Sequence, residues 1–254
     1  MKLEPQPGTP GTRPAGIETE TEAAAHVREM FAQIAPRYDL LNHLLSLDID
    51  KVWRRRVARR FAPVLRDSNA HVLDLCCGTG DLAFAFCNVD PHGAIISAAD
   101  FVPAMLVRAR AKAASHAFRV EFVEADALQL PYPDQTFDLV SSAFGFRNLA
   151  NYDRGLREMI RVLRRGGTAG ILEFAEPRGV LFGSLYRFYF RNILPRLGGM
   201  ISGNSEAYAY LPRSVGRFPG PEELKDRFEQ AGFVNVEFER WTGGIVTLHV
   251  AEKP

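Results

Sequence analysis

The stretch His71 to Phe86, HVLDLCCGTGDLAFAF, constrains this chain more than any other. A short apolar run leads into a glycine turn and then into a helical pattern, so a buried strand hands over directly to a helix. Several unrelated cofactor sites begin this way. The same rhythm repeats downstream: AIISAAD, VEFVEAD, FDLVSSAF and TAGILEF are short, mostly apolar and bounded by Gly, Pro or Asp. Strands buried on both faces of a parallel sheet read like this. Helical patterns over 82–89, 103–114 and 153–163 lie between them. The alternation predicts an α/β fold, a Rossmann-like doubly wound sheet that is mostly parallel. A helix over 221–231 and the run VNVEFERWTGGIVTLHVAEK then predict two strands joined around TGG, an antiparallel C-terminal edge.

In front of the sheet, residues 1–21 are rich in Pro, Gly, Thr and Glu and nearly empty of large apolar side chains, which predicts a disordered tail. Val27, Met30, Phe31 and Ile34 recur at helical spacing and stop before Pro36. Leu40–Leu47 and Val52–Phe61 read as further helical pieces. Residues 22–66 are therefore expected to be a helical segment covering the site, and 67–254 the cofactor-binding domain. After Phe174 the rhythm breaks into aromatic-rich, Pro-punctuated sequence, and 178–219 reads as a lid or substrate insertion.

A chain of 254 residues suits one such domain with a modest addition. With 31 basic and 30 acidic residues it exerts no global pull on nucleic acid, and none is expected as a partner. Cys76, Cys77 and Cys87 are odd in number, and two are adjacent, which suits neither a disulfide framework nor a metal site. A reducing compartment and no metal are the expectation. No apolar run approaches the roughly 18 to 20 residues that a membrane span needs, and the N-terminus lacks the apolar core of a signal peptide.

Gly78, Gly80 and Ala83 fit G-x-G-x-x-[GA], and Asp100 lies 20 residues beyond Gly80. Both features serve any nucleoside-bearing cofactor. Asp74 discriminates. It sits inside the first strand, where a nicotinamide cofactor has no use for a carboxylate, but a cofactor carrying a cationic amino acid does. Asp126, ending the third strand, is placed to accept from an adenine amino group, and Asp138 opens the fourth strand. Taken alone, Asp74 could cap a turn and Asp126 a helix; together with the terminal hairpin these carboxylates point to S-adenosyl-L-methionine.

From about Val27 onward the chain resembles the class I S-adenosylmethionine-dependent methyltransferases, and among them the quinone-biosynthesis C-methyltransferases of the menaquinone and ubiquinone pathways. The resemblance is carried by MFAQIAPRYDLLNHLLS, VLDLCCGTGDLA, DALQLPYPDQTFDLVSSAFGFRNL, LREMIRVLRRGGTAGILEF, YAYLPRSVGRFPGPEEL and WTGGIVTLH. RYDLLNHLLS, FGFRN and TGGIVTLH are the specific blocks. The resemblance implies that Thr79, Asp100, Asp126 and Ala127 contact the cofactor, beside Asp74, Gly78 and Gly80 of the turn. Where some relatives carry Ser before FG, this chain has Ala143, so that hydroxyl contact is absent.

The implied reaction is C-methylation of a polyprenyl quinol, demethylmenaquinol ahead of the benzoquinol precursor of ubiquinone. A ring carbon beside an ionised hydroxyl is already nucleophilic, so positioning, water exclusion and proton removal are what an enzyme must supply. Arg147 could stabilise a quinolate oxygen or orient a water, Asn148 could bond a ring oxygen, and Tyr38 could close over the site; these three are the expected catalytic set. His249 reads as structural. A nicotinamide oxidoreductase would leave Asp74 and FGFRN unexplained, and a non-catalytic scaffold of a biosynthetic complex is a third class. The basic run KVWRRRVARRFAPVLR and the aromatic run VLFGSLYRFYFRNILPRLGGMI are candidates for transient docking of a cytoplasmic protein on the inner membrane face. A homo-oligomer is left open.

Overall fold

The computed structural model describes residues 11–14, 16–39, 46, 48–175, 177 and 205–254. Its sheet contains β1 (His71–Leu75), β2 (Ile95–Asp100), β3 (Val120–Glu124), β4 (Phe137–Ala143), β5 (Leu163–Phe174), β6 (Val234–Trp241) and β7 (Val246–Glu252). They lie in the order β3-β2-β1-β4-β5-β7-β6. Strands β1 to β5 pair in parallel, and β7 runs antiparallel to both β5 and β6. The chain winds outward from β1 through β2 to β3, then returns to β4 beside β1 and winds the other way. Ligands in such sheets bind where the winding reverses, at the carboxyl ends of β1 and β4.

The helices are α1 (Glu20–Ile34), α2 (Ile49–Arg60), α3 (Ala62–Leu65), α4 (Asp81–Cys87), α5 (Pro103–His116), α6 (Tyr152–Val162), α7 (Ser205–Arg217) and α8 (Pro221–Gln230). Their starts are written locally. Thr19 caps α1 by accepting from Glu22 N, and its hydroxyl donates to the Glu22 carboxylate at 2.7 Å. Asn151 caps α6, and Pro opens α5 and α8, where its missing N–H costs nothing. One sheet face packs on α6 and α8 through Leu156, Met159, Leu224 and Phe228. The other packs on α2 and α4 through Trp53, Val57, Phe61, Leu82 and Phe86. With both faces covered, Leu73, Leu139 and Val140 are fully buried, which is why β1 and β4 read as unbroken apolar runs.

Two expectations need correction. The tail expected to be disordered through residue 21 is ordered from residue 11: Thr12 is 4% exposed, its N–H donates to the Leu149 carbonyl at 2.7 Å, and Arg13 reaches the Ala150 carbonyl at 2.7 Å. Composition reported correctly that the segment has no core of its own; the order comes from the surface it crosses. The basic run on α2 is not a free amphipathic face either. Its apolar stripe lies in the core, Arg54 is buried, and Arg56 and Arg60 pair with Glu239 and Glu237 of β6. The helical piece expected over Leu40–Leu47 lies almost wholly outside the described residues, and 178–204 of the expected insertion, with the whole aromatic run, lies outside them. Among the described residues no helix is long and apolar enough to cross a membrane.

Candidate active site

Two turns build the site, one after β1 and one after β4. Cys76 and Phe144, the first residues past these strands, take φ of 56° and 61°, a left-handed conformation that costs a non-glycine residue about 1–3 kcal/mol. The turns interlock: a Cβ on Gly145 would lie 2.4 Å from the Cβ of Cys76, so only glycine fits. Burial raises the thiols of Cys76 and Cys77 well above their ordinary range, which keeps them protonated and unreactive packing groups.

Above these turns opens a cleft lined by Asp74, Gly78, Thr79 and Asp100 from one side and Tyr38, Arg54 and Asn148 from the other. A second lobe shares Asp100 and Asn148 and adds Asp126 and Ala127. Asp74 is 1% exposed. Its Oδ2 accepts from Ala83 N at 2.9 Å, while Oδ1 has no hydrogen-bond partner among the described residues. Burial pushes this carboxyl up to about 8. A buried oxygen left unpaired is costly, and a ligand ammonium placed in the cleft would satisfy it.

Asp100 braces the glycine turn, accepting from Gly78 N at 2.8 Å and Val102 N at 2.9 Å; burial pushes it up to about 6. Each oxygen keeps a second lone pair for ribose hydroxyls. Asp126 Oδ1 accepts from Leu128 N at 2.9 Å, so the side chain caps its own turn at the lobe it lines. The Thr79 hydroxyl donates to Asp39 at 2.5 Å and accepts from Lys112 at 3.2 Å.

The expected catalytic set divides. Tyr38 and Asn148 line the cleft. Arg147 does not: its guanidinium donates to the Phe144 carbonyl and pairs with Glu173 at 3.1 Å, and both charged side chains are buried. Its partners among the described residues are thus Glu173 and the Phe144 carbonyl, and its buried Nε has none there. Asp138 is at the wrong end of the sheet for a ligand; it ties His71 N at 2.8 Å to Arg164 at 2.6 Å. His249 is structural, donating to the Pro221 carbonyl at 2.8 Å, with burial pushing its pKa down to about 4.

Sequence reading missed Arg54. It is buried in the cleft wall, hydrogen-bonded to Asp50 and 3.7 Å from Asp81. The signal was present: Asp50, Arg54, Val57, Ala58 and Phe61 fall on one helical face, so Arg54 shares the side that Val57 and Phe61 bury. Lys112, which bridges Asp39 and Asp81 at 3.0 and 2.6 Å, had no such signal.

The model of the ubiE/COQ5 methyltransferase family matches residues 18–253. This chain belongs to that family. It is 50% identical over 225 residues to the demethylmenaquinone methyltransferase of Thermus thermophilus, covering 89% of this chain and 100% of that protein. It is 49% identical over 227 residues to the enzyme of that name from Deinococcus radiodurans, covering 89% and 92%. The ubiquinone/menaquinone biosynthesis C-methyltransferase UbiE of Geobacter sulfurreducens is 42% identical over 235 residues, covering 92% and 90%. The fold matches solved S-adenosylmethionine-dependent methyltransferases. One from Thermotoga maritima has a TM-score of 0.60 at 17% identity, covering 90% of this chain and 100% of that one. Another, from Aquifex aeolicus, has a TM-score of 0.54 at 19% identity, covering 78% and 88%. As a member of the family, the chain is an S-adenosyl-L-methionine-dependent C-methyltransferase.

Proposed function

We propose that this methyltransferase acts on a ring carbon of a polyprenyl quinol, converting demethylmenaquinol to menaquinol. The observation that carries the reading is the buried Asp74 oxygen beside the glycine turn that has no partner among the described residues, in a chain half identical over its matched length to two demethylmenaquinone methyltransferases. Bound in the cleft, S-adenosyl-L-methionine supplies an electrophilic methyl group. Asp74 takes its ammonium group through Oδ1, and Arg54 offers a guanidinium to its carboxylate. Asp100 serves the ribose hydroxyls, and Asp126 with Ala127 the adenine.

On the acceptor side, Asn148 presents its amide to a ring oxygen, and Tyr38 closes over the ring. Phe31, Phe101 and Phe144 exclude water from the same cleft. Arg147 is a positioning residue: through Glu173 and the Phe144 carbonyl it fixes the turn that carries Asn148. The acceptor's isoprenoid tail belongs to a bilayer, which places the cytoplasmic protein on the inner membrane face. The outward part of α2, with exposed Ile49 and Val52 beside Arg55 and Arg59, is the docking face that remains. Sedimentation with anionic liposomes at low salt is the expected result there.

The deciding assay offers labelled S-adenosylmethionine with a reduced short-chain demethylmenaquinone and a reduced benzoquinol precursor side by side. Label in the naphthoquinol product is expected. Label only in the benzoquinol would move the chain to the ubiquinone pathway, a reading favoured by the double name of the Geobacter relative. Label in neither would remove the quinol.

A further inference from the structure

Residues 11–13 are strapped across the loop that follows FGFRN. Thr12 N donates to the Leu149 carbonyl at 2.7 Å, Arg13 donates to the Ala150 carbonyl at 2.7 Å, and Arg217 of α7 donates to the Arg13 carbonyl. The fit admits no side chain at Gly11, where a Cβ would come 2.1 Å from the Ala150 carbonyl. The strap delivers the Thr12 hydroxyl into a buried position, 3.0 Å from the Tyr210 hydroxyl. Tyr210, 9% exposed, in turn donates to Asn148 Oδ1 at 3.1 Å.

The direction of this chain follows from counting protons. A phenol has one, and Tyr210 gives it to Asn148 Oδ1, so Tyr210 accepts from Thr12. Such relays polarise in one direction, each donor strengthened by the bond behind it. Asn148 is then left with its Nδ2 donors, which have no hydrogen bond among the described residues, and it lines both lobes of the cleft. The relay therefore turns an amide that could present either an acceptor or a donor into a donor.

We propose that Tyr210, held by Thr12 of the N-terminal strap, is a positioning residue: it locks Asn148 as a hydrogen-bond donor toward the acceptor's ring oxygen. This rests on the quinol reading above. A locked donor stabilises negative charge that develops on a ring oxygen, where a freely rotating amide would lose that alignment. The strap thereby supports the active site from a segment that does not itself line the cleft.

The experiment is a double-mutant cycle in the full chain with Tyr210→Phe, Asn148→Ala and the pair, measured by methyl transfer to the reduced short-chain demethylmenaquinone and by calorimetric binding of S-adenosylmethionine. Tyr210→Phe keeps the ring and removes the proton; turnover should fall by about tenfold while cofactor affinity stays within about twofold. The pair should be no slower than Asn148→Ala alone. Thr12→Val and Gly11→Ala, which unseat the strap without touching the cleft, should each lower turnover by a smaller factor. Multiplying effects in the pair, or wild-type turnover in Tyr210→Phe, would overturn the relay while leaving the quinol reading intact. A wild-type protein that labels no quinol would remove both.

Discussion

Strands β4 and β5 are joined at both ends by an arginine and a carboxylate, and the two pairs are built from the same chemistry. At the carboxyl edge Arg147 meets Glu173 at 3.1 Å, with side chains 6% and 2% exposed. At the amino edge Arg164 meets Asp138 at 2.6 Å, with side chains 41% and 31% exposed. The shorter contact is the weaker one. Water screens the amino-edge pair, whereas the carboxyl-edge charges were stripped of solvent and depend on each other. At the amino edge Arg161 is also shared among Glu158, Asp134 and the Leu130 and Tyr132 carbonyls. At the carboxyl edge the turns after β1 and β4 each open on a positive-φ non-glycine residue, and Asp74 Oδ1 has no hydrogen-bond partner among the described residues.

That contrast can be broken by measurement. Arg147→Ala should be the most damaging change, costing about 3–5 kcal/mol because it strands buried Glu173; a loss below about 1 kcal/mol in urea unfolding would mean that water reaches the pair. Asp74→Ala should weaken cofactor binding by about a hundredfold, or ~2.7 kcal/mol, with the fold retained, and calorimetry reads it directly. An unchanged affinity would end the ammonium assignment.

The pH dependence sharpens the same point. Burial holds Asp74 at about 8 in the free protein, far above its ordinary value, so its stabilising contribution is complete in acid and is lost as the pH rises toward 8. Cofactor binding has the opposite sign. A cationic ammonium selects the ionised carboxylate, so affinity should climb between pH 6 and 7.5 by up to about tenfold per unit, and Asp74→Asn should flatten that slope. The smallest effect belongs to the amino edge. Arg164→Ala should cost about 1 kcal/mol or less, and the loss should shrink further in high salt. A salt-insensitive loss of several kcal/mol would erase the distinction between the two ends.

Much of this was legible without coordinates. The short, mostly apolar runs bounded by Gly, Pro or Asp located the strands, the helical patterns located α5, α6 and α8, and Gly78, Gly80 and Asp100 marked the cofactor end because backbone geometry is dictated by neighbours in sequence. Asp74 was legible because a carboxylate inside an apolar strand is costly, although its turn-capping bond to Ala83 N shows that part of its role is structural. What sequence could not assign was the partner of each charge. Arg147 and Arg54 look alike in sequence, each an arginine beside an aromatic, yet one is turned onto Glu173 and the other into the cleft.

The N-terminal strap shows the limit most clearly. A segment of Thr, Pro and Gly carries no periodic signal, and its order arises from the Leu149 and Ala150 carbonyls and from Tyr210, all more than a hundred residues away. By itself the sequence determined the sheet, its winding and the place where it binds, since those follow from local periodicity and turn chemistry. Only the tertiary structure decided which arginine faces the ligand, which carboxylate is left unpaired and which end of Asn148 is free, because hydrogen-bond partners are set by distance in space.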